Sequence, residues 1–267
     1  MKALICDFDG TLAKSDKTVS EENTRAVLDL IGRGGKFAVC TGRMTCSALR
    51  VLSSFPVRPL AATYNGAEIL DTETGELLFC RHIAPDDTAE IARFAEEKDI
   101  NCQIYVGDQV VTPEILPITD IYCRISRNEV TALGIPVSSY ASSWKMGTPK
   151  LMFLDFKDKL DRIQPEAEAV FGDRFEIARC GDFMLDFTAK GVSKGTALER
   201  LCAIWGISPG DCVCMGDEFN DLSMIQVAGV GVCMKNGNAK LKAYADYVTE
   251  RTSEEDAVKE VVELFFR

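Results

Sequence analysis

The feature that most constrains the fold is a short apolar run that ends directly in acidic residues. Residues 2–6 read Lys-Ala-Leu-Ile-Cys, and residues 7–11 continue as Asp-Phe-Asp-Gly-Thr. An apolar run of this length is typical of a strand buried on both faces of a parallel sheet. Asp7 would then follow the carboxyl end of that strand, where open α/β sheets bind their ligands. Phe8 would point away from Asp7 and Asp9, which predicts that the two carboxylates lie on one side.

The same pattern of a buried strand ending in polar residues recurs along the first part of the chain. A helix with Ser20 as its N-cap separates the first strand from a second one at residues 36–40, which is followed by Thr41. A strand–helix–strand unit is right-handed and has parallel strands, so Thr41 is expected at the same sheet edge as Asp7. A third strand at 60–63 and a hairpin then follow.

The pattern changes over residues 83–187 and returns near Lys194. Within this stretch we predict a helix from Pro85 to about Glu97, and residues 112–149 have too little periodicity for an assignment. The further elements predicted there are strands at 102–106, 151–155, 175–178 and 184–187 and a helix at about 159–170. The fold class is therefore α/β, with a doubly wound, Rossmann-like parallel-sheet core at 1–82 and 188–267 and an inserted α/β domain at 83–187.

Acidic and basic side chains converge on one edge of this predicted sheet. Asp7 and Asp9 follow the first strand, Asp217 and Asp221 follow the strand at 212–215, and Lys194 begins a helix at the same edge. Each residue alone has an ordinary explanation, such as a turn former or a solvated helix residue. Together they suit phosphoryl transfer, in which carboxylates hold Mg²⁺ and a lysine and a hydroxyl hold phosphate oxygens.

Four segments carry a resemblance to a known family: residues 7–12, 41–43, 191–195 and 216–221. In residue type and order they resemble the four motifs of the haloacid dehalogenase-like hydrolases, and within them the Cof-type sugar-phosphate phosphatases. The resemblance extends over nearly the whole chain, and the family's large α/β cap falls where the sequence pattern changes.

The resemblance implies a Mg²⁺-dependent phosphatase that forms an aspartyl-phosphate. It implies that Asp7 attacks phosphorus, and that Asp9 protonates the leaving alcohol and then activates water. The implied catalytic residues are Asp7, Asp9 and Lys194. The implied substrate- or phosphate-binding residues are Thr41, Gly42, Arg43, Asn65, Gly66, Lys194 and Asn220. The implied metal ligands are Asp7, Asp9 through its main-chain carbonyl, Asp217 and, in a supporting role, Asp221.

Two positions depart from the family pattern. The family reads Met-Gly-Asn-Ala near the last strand, where this chain has Met-Lys-Asn-Gly at residues 234–237, and it has a Gly where this chain has Ala257. The first departure concerns a loop near the cleft and the second a backbone turn, and neither lies in the four motifs.

Composition excludes several classes of function. The net charge of −11 over 267 residues argues against nucleic acid and anionic membrane as partners. No apolar run approaches the roughly 20 residues of a membrane span, and no signal peptide is visible. Eleven cysteines in mostly apolar runs and a single histidine, His82, argue against zinc and for a reducing, cytoplasmic location. The expected partner is a small phosphorylated metabolite, and the expected state is a monomer or weak homodimer.

Three alternatives to a phosphatase stay open at this point. A phosphomutase shares the motif order, a phosphoacceptor domain also uses a strand-end Asp, and a binding protein without activity would show broken motifs. The insert is expected to choose the substrate, and its candidate contacts are the cations Arg124, Arg127, Lys145 and Lys150. The same cations are equally compatible with a solvated surface.

Overall fold

The computed structural model describes residues 1–126 and 128–266 of the chain. It divides into two compact units, the first formed by Met1–Cys80 with Ser193–Arg267 and the second by Arg81–Val192. The roles predicted for the two parts, catalysis and substrate choice, stay predictions. Within the described ranges, no helix has both the length and the apolar character needed to cross a bilayer.

The first segment of the first unit alternates strands with helices. Its elements are β1 (Ala3–Cys6), α1 (Glu21–Gly32), β2 (Lys36–Cys40), α2 (Thr45–Leu52), β3 (Leu60–Thr63), β4 (Glu68–Asp71) and β5 (Leu77–Cys80). Ser20 caps α1 as predicted, since its side chain accepts from the main-chain N–H of Asn23. Acidic residues at Glu21 and Glu22 match the positive end of the helix dipole.

The second unit is an α/β structure of its own. Its elements are α3 (Pro85–Glu97), β6 (Asn101–Val106), β7 (Gln109–Thr112), α4 (Pro117–Ser126), β8 (Val130–Ala132), α5 (Val137–Ser143), β9 (Leu151–Leu154), α6 (Lys157–Phe171), β10 (Phe175–Arg179) and β11 (Met184–Ala189). The strands form a six-stranded sheet in the order β10-β11-β9-β6-β7-β8. Stacked and edge-on aromatic rings of Phe94, Phe153, Phe171 and Phe187 form part of its core.

The chain then returns to the first unit. The remaining elements are α7 (Lys194–Trp205), β12 (Cys212–Gly216), α8 (Leu222–Val227), β13 (Val230–Cys233), α9 (Ala239–Lys242), β14 (Tyr247–Val248) and α10 (Ala257–Phe265). The strand order is β14-β13-β12-β1-β2-β3-β4-β5, in which the pairings of β4 with β3 and with β5 are antiparallel and the other pairings are parallel. The predicted fold class is confirmed.

Alternate residues of the central strand pack into cores on opposite faces of the sheet. Leu4 and its neighbours on one face form a core with residues of α1 and α10, while Ile5 on the other face packs with residues of α7. Because β1 is covered on both faces, its side chains are fully buried, and only its ends are free to present polar groups. This arrangement positions the motif residues at the carboxyl edge.

Candidate active site

Three neighbouring parallel strands bring the first motif residues together. In the sheet β1 lies between β12 and β2, so Asp7, Thr41 and Asp217 each follow a carboxyl end at the same edge. The main-chain N–H of Asp7 donates to the carbonyl of Met215 at 2.9 Å, which fixes the loop after β1 against β12. The register of the sheet, set by sequence-distant strands, thus determines the geometry of this edge.

A buried lysine links two of the carboxylates. Nζ of Lys194, the first residue of α7, donates to Oδ1 of Asp7 at 2.6 Å and to Oδ1 of Asp221 at 2.5 Å. Lys194 is 1% exposed, so these charge-assisted bonds lie in a low-dielectric environment. Oδ2 of Asp221 accepts from the main-chain N–H groups of Asp217 and Glu218 at 2.9 and 3.0 Å. Asp221 therefore holds both the lysine and the motif loop.

The same edge gathers the oxygens that a divalent cation requires. Carboxylate oxygens of Asp7, Asp217 and Asp221 lie within 4.8 Å of one another. Gly10, at φ +75°, permits this approach, because a Cβ there would stand 2.3 Å from Oδ2 of Asp217. The cluster contains three carboxylates and one ammonium group, so it lacks positive charge. Its ligands would be hard oxygen atoms, which suit Mg²⁺. The residues present therefore fit a divalent metal.

The pKa values reflect burial and the charges gathered around it. Burial is the main cause that raises the pKa of Asp7 well above its ordinary value; Lys194 acts to lower that pKa, and the nearby carboxylates of Asp221 and Asp217 act to raise it. Burial, followed by repulsion from Asp221, raises the pKa of Asp217 to about 6. Burial alone would lower the pKa of Lys194, but Asp221 and Asp7 reverse the direction and raise it. A bound cation would restore the charge balance.

Asp9 takes a different set of partners from Asp7. Nε and Nη2 of Arg43 donate to its Oδ2 and Oδ1 at 2.6 and 2.7 Å, and Nζ of Lys17 donates to Oδ1 at 2.8 Å. Burial acts to raise the pKa of Asp9, but the hydrogen bonds from Arg43 and Lys17 prevail and lower it. Asp7 and Asp9 were predicted to lie on one side, but their carboxylates bind different partners. The metal role predicted for Asp9 involves its main-chain carbonyl and not this carboxylate.

Sequence reasoning assigned Arg43 to phosphate and did not single out Lys17. In the structure the guanidinium of Arg43 is bound to Asp9, also donates to Oγ of Ser47 at 3.1 Å, and lies over the ring of Phe8. Lys17 lies in a polar turn without periodicity, so no local signal in the sequence could have marked it.

The predicted substrate-binding residues lie around a strained turn after β3. Asn65 has φ 59° and ψ 24°, and its Oδ1 accepts from Nδ2 of Asn220 at 3.1 Å. A Cβ on Gly42 would stand 3.1 Å from the same oxygen, and a Cβ on Gly66 would stand 2.7 Å from Cβ of Ala197 in α7. The turn thus packs against the start of the helix that carries the site lysine. The binding roles of these residues stay predictions.

Asn236 supports the loop after β1, a role that the sequence motifs did not indicate. Its Nδ2 donates to the carbonyl of Gly10 at 2.9 Å, and its Oδ1 accepts from the main-chain N–H of Ser253 at 3.1 Å. This residue belongs to the segment that departs from the family pattern. Despite that departure, the segment holds the loop after β1.

Comparison with known proteins decides the family. A model of the haloacid dehalogenase-like hydrolase family matches residues 4–262. The chain belongs to the haloacid dehalogenase-like hydrolases. The predicted family and the predicted class, a phosphatase-type hydrolase, are confirmed.

Relatives of this hydrolase are similar along their whole length. The 5-amino-6-(5-phospho-D-ribitylamino)uracil phosphatase YwtE of Bacillus subtilis is 28% identical over 274 residues, covering 95% of this chain and 94% of the relative. Phosphatase YwpJ of the same organism is 27% identical over 272 residues, covering 93% and 94%. The crystal structure of TM0651 from Thermotoga maritima has a TM-score of 0.86 at 28% identity, covering 98% and 96%.

The candidate substrate-binding cations of the second unit differ in their exposure to solvent. Arg124 and Lys145 are exposed, and Arg127 lies outside the described residues. Lys150 is buried instead of solvated, and its Nζ donates to Oδ2 of Asp186 at 2.9 Å and lies over the ring of Tyr105. Of these candidates, Arg124 and Lys145 remain available on the surface.

Proposed function

We propose that this hydrolase is a Mg²⁺-dependent phosphatase that cleaves a small phosphorylated metabolite through an aspartyl-phosphate. The observation that supports the proposal best is the buried Asp7 carboxylate, bonded to Lys194 and close to Asp217 and Asp221. A nucleophile held by a cation at a sheet edge can approach a phosphorus atom whose own oxygens carry negative charge.

The chemistry requires two displacements at phosphorus. In the first, an oxygen of Asp7 forms the bond to phosphorus while the bond to the leaving oxygen breaks, and Asp9 supplies a proton to that oxygen. In the second, water attacks the aspartyl-phosphate, Asp9 takes up the proton, and phosphate and the Asp7 carboxylate are regenerated. Acid–base help of this kind contributes roughly 10²–10⁴-fold to the rate.

Charge balance during the reaction comes from the same edge of the sheet. Asp7, the carbonyl of Asp9 and Asp217 would hold Mg²⁺, which when bound neutralises charge on the carboxylates and on the phosphate oxygens. Asp221 supports them, because its oxygens accept from Lys194 and from two main-chain N–H groups. Thr41 and Lys194 would orient the phosphate.

The substrate proposed is a sugar phosphate or a similar phosphomonoester. The name of the relative YwtE describes a phosphorylated ribityl compound, which supports this chemical class. We further propose that the second unit governs substrate choice, so that alanine at Arg124 or Lys145 should change the ranking of substrates. The expected cytoplasmic location and monomeric or weakly dimeric state also stay predictions.

A screen of phosphorylated metabolites for released phosphate tests the function. We expect Mg²⁺-dependent release from a few related substrates, and none after thorough chelation. Phosphate transfer between sugars with little release would indicate a mutase. In Asp9→Asn, nitrophenyl phosphate should give a burst of nitrophenol and then a slow steady state, since that leaving group needs little protonation. Turnover like that of the unaltered enzyme would contradict the role of Asp9.

A further inference from the structure

One glutamine in the sheet of the second unit is buried without a hydrogen-bond partner. Gln103 lies in β6 and is 0% exposed, and within the described residues neither its Nε2 nor its Oε1 has a partner. A primary amide can donate two hydrogen bonds and accept two. Buried polar side chains are nearly always bonded, because an unmade bond costs free energy in the folded state. A buried amide with neither atom bonded is therefore a candidate for binding a ligand.

Asp186 lies on the same face of the sheet as Gln103 and has an unbonded oxygen of its own. Met152 in β9 pairs with Gln103 on one side and with Asp186 in β11 on the other, so the three residues form one row. The Cα atoms at the ends of the row are about 10 Å apart, which is two strand spacings. Oδ2 of Asp186 accepts from Nζ of Lys150 at 2.9 Å and from Sγ of Cys180 at 3.2 Å. Its Oδ1 is buried and has no partner among the described residues.

The adjacent row on the opposite face of the sheet has a different composition. Cys102 pairs with Phe153, and Phe153 pairs with Leu185, and all three are buried. A sheet face that serves only to build a core consists of such apolar residues, since burying polar groups without partners is unfavourable. The unbonded polar atoms are confined to the face of Gln103 and Asp186, which is the face that can offer them to a ligand.

We propose that Gln103 and Asp186 bind hydroxyl groups of the substrate's leaving group. A hydroxyl both donates and accepts, so neighbouring hydroxyls can accept from Nε2 of Gln103 and donate to its Oε1 and to Oδ1 of Asp186. The charge of Asp186 is already balanced by Lys150, which favours an uncharged sugar or polyol over a cation. Access requires a side chain of the row to move, and Met152, unbranched and flexible, is suited to do so. This inference rests on the proposed function and names residues through which the second unit would choose its substrate.

The variant Gln103→Met separates binding from a structural role. It removes both amide atoms and keeps an unbranched side chain of similar length, and no hydrogen bond within the fold is lost. We expect kcat/KM for D-ribose 5-phosphate, D-glucose 6-phosphate and D-sorbitol 6-phosphate to fall by about 10-fold, mainly through KM. The value for 4-nitrophenyl phosphate, which has no hydroxyl to bind, should not change. Urea unfolding should show no loss of stability.

Gln109→Met is the matched control for this variant. Gln109 is a glutamine of the same sheet, at the start of β7, but it is exposed to solvent. Its replacement should leave the kinetic constants of all four substrates unchanged. A change in Gln109→Met equal to that in Gln103→Met would show that any glutamine of the sheet has this effect, and it would refute a specific site.

Binding without turnover gives a second readout. In the Asp7→Asn variant, titration with D-ribose 5-phosphate in the presence of Mg²⁺ should shift the side-chain amide signal of Gln103 in nitrogen–proton NMR spectra. The signal is assigned by its loss in Gln103→Met. A signal that stays in place while the sugar phosphate binds would refute the contact.

Other kinetic outcomes would also overturn the inference. An equal loss for the sugar phosphates and for nitrophenyl phosphate, or a loss of stability in Gln103→Met, would make Gln103 a structural residue. Turnover of nitrophenyl phosphate but of none of the three hydroxylated substrates would refute the hydroxyl site and leave phosphatase activity intact. No turnover of any phosphomonoester by the unaltered enzyme would contradict the proposed function itself.

Discussion

Each unit of this hydrolase contains a buried lysine, and the two lysines differ in how their charge is balanced. Lys194 in the first unit bonds two carboxylates, Asp7 and Asp221, with Asp217 close by. Among the carboxylates of the described residues, Lys150 in the second unit bonds that of Asp186. The first cluster has an excess of negative charge and can recruit a cation, whereas the second pairs one positive charge with one negative charge and is neutral. Burial therefore does not distinguish a site from a structural ion pair, but the count of charges does.

The largest expected effect is the loss of activity in the variant Asp7→Asn. Loss of the nucleophile should lower kcat/KM for nitrophenyl phosphate by roughly 10⁴-fold or more, as for nucleophiles of other enzymes. Stability in the absence of metal should not fall, because Lys194 keeps Asp221 and one repelling carboxylate is gone. Urea unfolding without metal checks this second part, and a large loss of stability would mean that the cluster was balanced after all.

In the neutral Lys150–Asp186 pair, by contrast, loss of the carboxylate should lower stability. Asp186→Asn leaves the buried Lys150 without a charged partner and should lower the free energy of unfolding by about 3–5 kcal/mol. Fluorescence of Trp144 in a Trp205→Phe background reports the second unit by itself, because the chain has two tryptophans.

The double variant Lys150→Met with Asp186→Leu provides the control for the neutral pair. It removes both charges and should recover most of the stability. If Asp186→Asn were tolerated as well as Asp7→Asn, the contrast between the two lysines would be wrong.

The sequence revealed the first cluster better than the second for a physical reason. Motif residues follow buried strands, and the rule that parallel strands share a ligand edge places Asp7, Thr41 and Asp217 together without coordinates. The ends of β2 and β3 could also be read from apolar runs, and the start of α1 from its serine cap, Ser20.

The second cluster and the contacts of Asp9 could not be read in the same way. Lys150 and Asp186 meet because β9 and β11 are neighbours in an antiparallel sheet, and no local pattern predicts that register. Residues 112–149 contain α4, β8 and α5. β8 and α5 have three and seven residues and are too short to show a period. α4 has ten residues, and its helical spacing was missed. Lys17 reaches Asp9 from an irregular turn, which leaves no mark on hydropathy.

A smaller effect on stability is expected from Mg²⁺ and from pH, and it concerns the cluster of Asp7, Asp217 and Asp221. Mg²⁺ at a hundredfold excess over its Kd should stabilise the fold by about 2.7 kcal/mol at pH 7.5. The pKa values of Asp7 and Asp217, the latter about 6, are raised in the folded state. Their contribution to stability without metal is therefore present at low pH and is lost as pH rises through those values.

Melting curves with and without Mg²⁺ at pH 5 and pH 7.5 check the expectation for the acidic cluster. Because the metal must displace protons, the rise in Tm should be larger at pH 7.5 than at pH 5. Asp217→Asn should reduce the difference between the two pH values. An equal rise at both pH values would mean that protons do not compete with the metal for these carboxylates.

The smallest effect concerns the helix end that holds Lys194. A lysine in the first turn of a helix meets the positive end of the dipole, so its placement depends on the carboxylates and on the cap. Oγ of Ser193 accepts from the N–H of Thr196, and Ser193→Ala should lower the free energy of unfolding by about 1 kcal/mol. Ser20→Ala removes the same kind of cap from α1, away from the site, and also loses a bond to Asp256, so its stability loss should be at least as large. Only Ser193→Ala should also lower kcat, by a few-fold, because it loosens the residue that orients Asp7. Equal kcat values in the two variants would show that the carboxylates alone fix Lys194.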